Sequence, residues 1–422
     1  MLYIKKAAQL ITLQGHSDTP AIKEQMKNLY VIENGSVLVQ ENKILAVGKD
    51  EDIRQQFHEV IDKAEVIKAE NKIVTPGLID PHTHLVYAGS REKEYVMRLQ
   101  GKTYMDIMNE GGGIHATTRA TQESSFEQLY METAKRLDVF LLNGVTTVEI
   151  KSGYGLSLEH ELKQLKVAKQ LNEDHAVDIV STFMGAHAVS PMFKTNPDLF
   201  VDQIIQEMIP AVAESRIAEF NDVFCEKGVF TPEQSRRILE AGKQFGLIPK
   251  IHADEIEPYG GAELAVEVGA ISADHLLNAS ERGIKMMAEK GVIGVLLPGT
   301  AFFLMAKFAP ARKMIDSGIP IALSTDANPG SSPTFSLQFI MNLGCLQMGM
   351  TPEETITATT INAAYAIGRA KEIGSLEPGK KADIAIFNVP NYLFLSYQYG
   401  MNHIDTVIKS GVLVVKEGKI VI

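Results

Sequence analysis

The chain has 422 residues, of which 45% are hydrophobic and 22% charged, and its net charge is −11. This composition is typical of a folded globular protein, and the negative charge argues against nucleic acid or an anionic membrane as the partner. The length suits one barrel-sized domain with a smaller module, and the two cysteines, Cys225 and Cys345, provide no disulfide framework, which favours a reducing cytoplasm.

Strand patterns lie at both ends of the chain. The apolar run up to Leu13 predicts a strand rather than a signal peptide, because it has no small-residue cleavage site. Residues 36–47 predict a hairpin, and residues 411–422 repeat its pattern. We therefore expect residues 1–72 and 371–422 to form one composite β domain, although two unrelated edge hairpins would show the same pattern.

Between residues 73 and 370, short apolar runs alternate with amphipathic stretches. Such alternation indicates parallel βαβ units, and the number of runs predicts a (β/α)₈ barrel. The predicted strands begin at Ile73, Val145, Asp178, Asp222, Ile248, Ala270, Val292 and Ile321. The expected fold class is α/β, with a TIM-like (β/α)₈ barrel of residues 73–370 and a small β-sandwich domain formed from both chain termini.

Helix-start and helix-stop signals separate these runs. Thr231-Pro-Glu233 combines an N-cap, a proline at the first helical position and an acidic first turn, and Gly246 is expected to end that helix. Thr351-Pro-Glu353 repeats the start signal. Asn143-Gly144 is expected to stop a helix that begins at Phe126.

The first predicted barrel strand leads into Asp80-Pro-His82-Thr-His84. In an extended chain, residues two apart point to the same side, so His82 and His84 present two imidazoles together. An isolated pair of this kind is more often two surface histidines. At the carboxyl end of a barrel strand, where barrel active sites lie, the pair instead indicates metal ligands.

Two further predicted strands end in a candidate ligand. His252 closes the fifth strand and Asp326 closes the eighth. Taken alone, His252 suits a hydrogen-bonded core histidine and Asp326 suits a turn. Catalytic metal sites take about three or four protein ligands and leave a position for water. Together with His82 and His84, these residues therefore predict one metal centre.

Other strand-end side chains have several interpretations. His275, after the sixth strand, is a further ligand, a group that stabilises charge on a substrate, or a ring packed against a loop. Glu226, after the fourth strand, bridges a second metal or holds its neighbours by hydrogen bonds or an ion pair. Because no lysine there is an obvious carboxylated bridge, we expect a single metal.

In combination, these motifs resemble the amidohydrolase superfamily. The similarity includes Pro76 to His84, the strand-end histidines, Ser324-Thr-Asp326 and the return segment 374–386, and it covers nearly the whole chain. Within the superfamily, the chain is most similar to the enzymes that open an imidazolone ring in histidine degradation. That likeness is carried by residues 85–92, 111–115, 149–156, 183–187, 252–255 and 326–331.

The resemblance implies hydrolysis of the cyclic amide of 4-imidazolone-5-propanoate to N-formimidoyl-L-glutamate, with one Zn²⁺ or Fe³⁺ per subunit. It also implies a set of substrate-binding residues: Arg91, Tyr154, His187, Glu255, Asn328, Gly330 and Ser331. An arginine fork suits the propionate because it donates two parallel charge-assisted bonds. Arg91 equally suits a surface ion pair with Glu92 or Glu94, and Tyr154 suits loop packing between two glycines.

The expected catalytic residues are Glu255, His275 and Asp326. The two carboxylates would accept or relay the proton of the attacking water, Glu255 would protonate the leaving nitrogen, and His275 would stabilise the oxyanion. Gly111 to Gly113 lack the ending of a phosphate loop and favour a lid or a close backbone approach to substrate. The role of His115 stays open.

Two competing functions use the same residues. A deaminase acting on a cytosine- or guanine-like ring would need the same metal ligands and would release ammonia. A non-catalytic barrel serving as an assembly scaffold would be expected to lose ligands, and all four are present. We also expect a small-molecule substrate and a homodimer, the commonest symmetric assembly.

Overall fold

The computed structural model describes residues 1–102, 106 and 111–422. Within these residues the strands form two sheets: a mixed sheet of nine strands from both chain ends, and a sheet of eight strands between them. None of the helices in the described part of the chain is long and apolar enough to cross a membrane.

The nine-strand sheet contains β1 (Leu2–Ile11), β2 (Val31–Gln40), β3 (Lys43–Lys49), β4 (Glu65–Lys68), β5 (Ile73–Pro76), β14 (Ile384–Phe387), β15 (Ile404–Lys409), β16 (Val412–Lys416) and β17 (Lys419–Ile420). The eight-strand sheet contains β6 (Leu78–Asp80), β7 (Val145–Lys151), β8 (Asp178–Ala186), β9 (Phe220–Cys225), β10 (Ile248–Ala253), β11 (Ser272–His275), β12 (Ile293–Leu296) and β13 (Ile321–Leu323).

The α-helices of the described residues span Asp50–Ile61, Glu92–Leu99, Ile114–Glu123, Phe126–Leu142, Leu158–Asp174, Pro197–Gln203, Ile209–Ser215, Pro232–Gln244, Gly261–Val268, Glu281–Lys290, Pro298–Leu304, Ala311–Ser317, Leu337–Met348, Pro352–Ala358, Ile361–Ala366 and Leu393–Tyr397. Short 3₁₀ segments cover Lys23–Lys27 and Pro191–Phe193, and Ile204–Met208 is π-helical.

Strands from the two chain ends meet at the centre of the mixed sheet. β1 pairs antiparallel with β2 and parallel with β5, and β5 pairs antiparallel with β14. The predicted hairpins are present as β2–β3 and β16–β17. Side chains from β1, β2, β14 and β15, including Ile4, Val37, Ile384 and Ile408, form one apolar cluster, so the sheet encloses a core of its own. A β domain built from both termini is therefore confirmed.

The eight-strand sheet is the predicted barrel. Its strands are hydrogen-bonded in chain order from β6 to β13, and all neighbours run parallel. The chain beyond β6 meets the chain beyond β13 through a parallel bridge between Thr83 and Ala327. Ser324 Oγ also donates to the carbonyl oxygen of His82 at 2.8 Å. These contacts bring the carboxyl ends of the first and last strands together.

The prediction that the first barrel strand begins at Ile73 is wrong. Ile73–Pro76 belongs to the mixed sheet, and the barrel strand begins after Gly77, at Leu78. A Cβ at Gly77 would lie 2.3 Å from Thr146 Oγ1, so only glycine permits this close crossing between the sheets. The exact division into residues 1–72 with 371–422 and 73–370 stays a prediction.

The predicted helix signals are confirmed. Thr231 Oγ1 accepts a hydrogen bond from Gln234 N at 3.2 Å, and the Gln234 side chain accepts from Thr231 N at 3.0 Å. Thr351 makes the same reciprocal cap with Glu354. The helix Phe126–Leu142 stops before Gly144, whose φ of 86° suits glycine at a helix end.

Candidate metal centre and active site

The predicted ligands lie at the carboxyl ends of barrel strands. His82 and His84 follow β6, His252 lies near the end of β10, and Asp326 follows β13. His275 is the last residue of β11. Parallel strands place their carboxyl ends on one rim of the barrel, so residues distant in sequence converge there.

The structure brings the four predicted metal ligands together. One ring nitrogen from each of His82, His84 and His252 lies within 4.8 Å of the other two, and all three side chains are buried. Asp326 Oδ1 lies 3.5 Å from His82 Nε2 and 3.7 Å from His84 Nε2. In a tetrahedral site with ligand distances of about 2.0–2.2 Å, neighbouring donor atoms are about 3.3–3.6 Å apart. The two Asp326 distances are close to this spacing, and the three imidazole nitrogens are near enough to one another to share one cation.

The hydrogen bonds of His82 and His252 leave one nitrogen of each ring available to bind that cation. His82 Nδ1 lies 2.6 Å from Asp274 Oδ2, and His252 Nδ1 lies 3.1 Å from Asp222 Oδ1. A carboxylate only accepts, so each Nδ1 carries the ring proton and each Nε2 keeps its lone pair. Among the described residues, neither buried Nε2 has a hydrogen-bond partner. Neutral imidazoles with inward lone pairs fit a metal such as zinc.

Burial controls the charge of these histidines. It holds the pKa of His82 and of His84 well below the usual value, so both rings are neutral near pH 7. Burial also lowers the pKa of His252, but the Asp222 carboxylate more than offsets this effect, and the pKa is raised overall. A proton therefore competes with a cation for His252 as the pH falls.

Asp326 and His275 adopt backbone conformations that are unusual for their residue types. Their φ angles are 52° and 74°, in the left-handed region that non-glycine residues rarely occupy. Burial raises the pKa of Asp326 to about 6, although Thr300 Oγ1 donates to Asp326 Oδ2 at 2.5 Å and favours the carboxylate. These backbone conformations direct both side chains to the ligand cluster, by which we mean His82, His84, His252 and Asp326.

Glu255 and His275 lie together at the edge of the cluster. His275 Nε2 is 3.6 Å from Glu255 Oε2, and the His275 ring centroid is 5.0 Å from that of His252. Burial, followed by the nearby Asp326, raises the pKa of Glu255 to about 8. Without a cation, Glu255 is therefore a neutral acid at pH 7 and can donate a proton.

His187 and Tyr154 contact the same cluster. The His187 ring stacks on His84 with centroids 4.7 Å apart, and Tyr154 lies 5.3 Å from His187. His187 Nδ1 donates to the carbonyl oxygen of Gly153 at 3.1 Å. Burial lowers the pKa of His187 to about 3, so the ring is neutral with Nε2 as an acceptor. Burial also raises the pKa of Tyr154, which keeps its hydroxyl protonated.

Arg91 forms the ion pair with Glu94 that its sequence permits. Its Nε and Nη2 both donate to Glu94 Oε2 at 2.8 Å, and Glu94 Oε1 accepts from Gly113 N at 3.0 Å. Glu94 thus connects Arg91 to the triple glycine. Arg91 Nη1 packs against Gly330, where a Cβ would lie 2.0 Å away.

The loop after β13 is organised by Asn328. Its Oδ1 accepts from the backbone nitrogens of Gly330 and Ser331, both at 2.8 Å, and its Nδ2 donates to the Asp326 carbonyl oxygen at 2.7 Å. The structure therefore shows Asn328 fixing the loop that carries Gly330. Direct contact of these residues with a substrate stays a prediction.

Glu226 and His115 lie outside the ligand cluster. Glu226 Oε1 accepts from Lys227 N at 2.9 Å, and Oε2 accepts from Ile256 N at 2.8 Å, so it anchors the loop next to Glu255. This arrangement favours the hydrogen-bonding interpretation of Glu226 over a metal bridge. His115 lies in the first turn of the helix Ile114–Glu123.

The site predicted from the sequence does not include the buried charged residues that lie beneath the histidines. Asp222 orients His252, and Asp274 orients His82. The signal that could have identified both aspartates is a charged residue inside an otherwise apolar barrel strand. His82, Glu149 and Asp274 also lie close enough to hold a metal. Lys151 Nζ is 2.9 Å from Glu149 and 3.4 Å from Asp274, so an ammonium already balances these carboxylates.

Comparisons with known proteins agree with this geometry. A family model described as the amidohydrolase family matches residues 73–421. The chain is 69% identical to the imidazolonepropionase of Geobacillus sp. strain WCH70, over 99% of each chain. It is 66% identical to that of Geobacillus kaustophilus strain HTA426, over 100% of this chain and 99% of the relative.

The fold is also shared with more distant enzymes. The triazine hydrolase of Arthrobacter aurescens superposes with a TM-score of 0.74 at 18% identity, covering 100% of this chain and 96% of that one. This likeness concerns the fold alone. The family match and the full-length identities show the family: the chain belongs to the amidohydrolase family and, within it, to the imidazolonepropionases.

Proposed function

We propose that this chain hydrolyses the ring amide of 4-imidazolone-5-propanoate to N-formimidoyl-L-glutamate, as an enzyme of histidine degradation. The observation that carries the proposal is the convergence of His82, His84, His252 and Asp326 at donor spacing on the active rim of the barrel. The full-length identity to imidazolonepropionases supports the choice of substrate. We further propose a cytoplasmic homodimer with one metal per subunit.

The four converging side chains are the proposed ligands of one Zn²⁺ or Fe³⁺. When bound, such an ion supplies Lewis acidity that lowers the pKa of water from about 15.7 towards about 7. Asp274 and Asp222 hold the proton on Nδ1 of His82 and His252, which keeps the coordinating nitrogens free of protons.

The remaining side chains supply proton transfer and charge stabilisation. Water adds its oxygen to the ring carbonyl carbon, and the amide C–N bond breaks as the ring nitrogen takes up a proton. Asp326 accepts the proton of the water, and Glu255, with its raised pKa, donates one to the leaving nitrogen. His275 lies beside Glu255, where it stabilises the negative charge that develops on the carbonyl oxygen.

The proposed substrate pocket adjoins the ligand cluster. Tyr154 and His187 contact His84 and flank the ring of the substrate. Arg91, fixed by Glu94, binds the propionate carboxylate by charge-assisted hydrogen bonds. The loop residues Asn328, Gly330 and Ser331 line the far end of the pocket.

Replacing Gly330 with alanine is expected to raise KM about 10-fold or more, because a hydrogen bond to a charged group contributes about 1.5–3 kcal/mol. The new Cβ would overlap Arg91 Nη1 and displace the guanidinium from its position. Steady-state kinetics measures the change, and the bound metal should be unaffected. The matched control is Gly48→Ala, where the nearest side-chain atom to the new Cβ is 3.5 Å away. An unchanged KM in the Gly330 variant would remove Arg91 from carboxylate binding.

The function is tested by incubating the metal-loaded protein with freshly prepared 4-imidazolone-5-propanoate. We expect the imidazolone absorbance to fall while N-formimidoyl-L-glutamate appears in equal amount. Release of ammonia from a cytosine or guanine ring, with the imidazolone left intact, would assign a deaminase instead. Absence of bound metal and of turnover would favour the scaffold function.

A further inference from the structure

Beneath the histidine cluster, the barrel interior holds a group of fully buried charged side chains: Glu149 and Lys151 on β7, Asp222 on β9, Lys250 on β10 and Asp274 on β11. Charges in such an environment persist only when they are paired and hydrogen-bonded. Lys151 and Lys250 contact different members of this group, and we therefore expect them to have different roles.

Lys151 contacts both carboxylates that bond to proposed ligand histidines. Its Nζ lies 2.7 Å from Asp222 Oδ2 and 3.4 Å from Asp274 Oδ2. The other Asp222 oxygen accepts from His252 Nδ1 at 3.1 Å, and Asp274 Oδ2 accepts from His82 Nδ1 at 2.6 Å. One ammonium group therefore joins two carboxylate–histidine pairs, whose members come from β9, β10, β11 and the segment after β6.

We propose that Lys151 is a positioning residue of the metal centre: its ammonium fixes Asp222 and Asp274 in the positions from which each accepts a hydrogen bond from a histidine Nδ1. Both rings are then held with Nε2 directed to the proposed metal site. This inference rests on the proposed metal site and extends it to a residue that touches neither metal nor substrate.

Loss of the ammonium would release both rings from their fixed orientation. Without it, Asp222 loses its 2.7 Å contact and Asp274 its 3.4 Å contact, so both carboxylates can turn away from the Nδ1 atoms. The two imidazoles then lose the hydrogen bonds that orient them, and their Nε2 atoms are no longer held where the metal needs them.

Lys250 provides a matched control with the same charge and the same burial. Its Nζ lies 3.3 Å from Glu149 Oε2 and donates to the carbonyl oxygen of Ala366 at 3.1 Å. Within the described part of the chain, no ion pair joins Lys250 to Asp222 or Asp274. Lys250 therefore shares the buried charge balance without contacting either orienting carboxylate.

The test compares Lys151→Met, Lys250→Met and the double variant Glu149→Gln/Lys151→Met with the wild type. The affinity for Zn²⁺ is measured by competition with a chromophoric chelator, and the melting temperature of each metal-free protein reports folding. The Lys151 variants are expected to bind Zn²⁺ about 10- to 100-fold more weakly, the effect typical of orienting partners. Lys250→Met is expected to retain wild-type affinity.

A spectroscopic measurement separates positioning from general stability. In proton NMR spectra of the metal-free wild type, the Nδ1–H groups of His82 and His252 should give the downfield signals of protons that are hydrogen-bonded to a carboxylate. In the Lys151 variants, these signals should move upfield or disappear. A merely structural loss would lower the melting temperature and leave the signals in place.

Several outcomes would overturn the inference. Wild-type Zn²⁺ affinity in the double variant would do so, as would an equal loss of affinity in Lys250→Met. The double variant removes one charge of each sign, so it carries the test if the single Lys151 variant does not fold. A wild-type protein that binds no Zn²⁺ would remove the proposed metal site as well, whereas tight binding by wild type and Lys151 variants alike overturns this inference only.

Discussion

Replacing His252 with alanine is expected to abolish ring opening and to weaken metal binding by more than about 100-fold, beyond the effect of losing an orienting partner. The change removes one donor from a cluster of three mutually close imidazoles. Asp222 keeps its 2.7 Å contact with Lys151, so the metal-free fold should persist. Elemental analysis after dialysis against a weak chelator measures the loss, together with the melting temperature.

The wild type offers a second readout of the same site. A ligand at 100 times its Kd stabilises the folded state by about 2.7 kcal/mol, so added Zn²⁺ should raise the melting temperature of the wild type but not of the variant. His58→Ala is the control, since His58 is exposed on the helix Asp50–Ile61 of the terminal domain. A His252 variant that retains one metal per chain and normal turnover would refute the proposed ligand set.

Replacing Glu255 with glutamine is expected to lower kcat by about 10²- to 10⁴-fold, the range for loss of a general acid or base. The amide keeps the shape of the side chain but cannot transfer the proton. Metal content should stay near that of the wild type, because Glu255 is not among the proposed ligands. Glu257→Gln is the matched control: Glu257 lies two residues further on, and its exposed side chain pairs with Lys227 at 2.9 Å.

The proposed role of Glu255 also predicts the direction in which kcat changes with pH. A general acid works in its protonated form, so kcat should fall as the pH rises through the pKa of Glu255, which is about 8 without a cation. A bound cation favours the carboxylate, which places this alkaline limb at or below that value. The limb should disappear in Glu255→Gln. If the variant keeps both the wild-type turnover and the limb, Glu255 is not the proton donor.

The ligand cluster could be predicted because barrel geometry converts strand-end positions into proximity. His82, His252 and Asp326 are far apart in sequence, yet each follows or closes a parallel strand, and all such ends share one rim. Helix caps such as Thr231 were equally accessible, since the capping contacts are local in sequence.

Features that depend on packing between distant segments could not be predicted in this way. The apolar run from Ile73 to Ile79 gives no sign that Gly77 divides it between two sheets, because the division depends on pairing with β14. The ion-pair partner of Arg91 could not be predicted either, because Glu92 and Glu94 are both close to it in sequence. Glu94 is the partner in the structure, where its second oxygen accepts from the distant Gly113 amide.

The pairing of β5 with β14 also has a consequence for synthesis of the chain on the ribosome. Ile73 lies opposite Phe387, so the N-terminal strands emerge long before their neighbour is translated. Pairing over such a sequence separation is slow, and an unpaired strand edge promotes aggregation. Of the two sheets, the mixed sheet is therefore completed later, because β14 to β17 are translated after all the strands of the barrel.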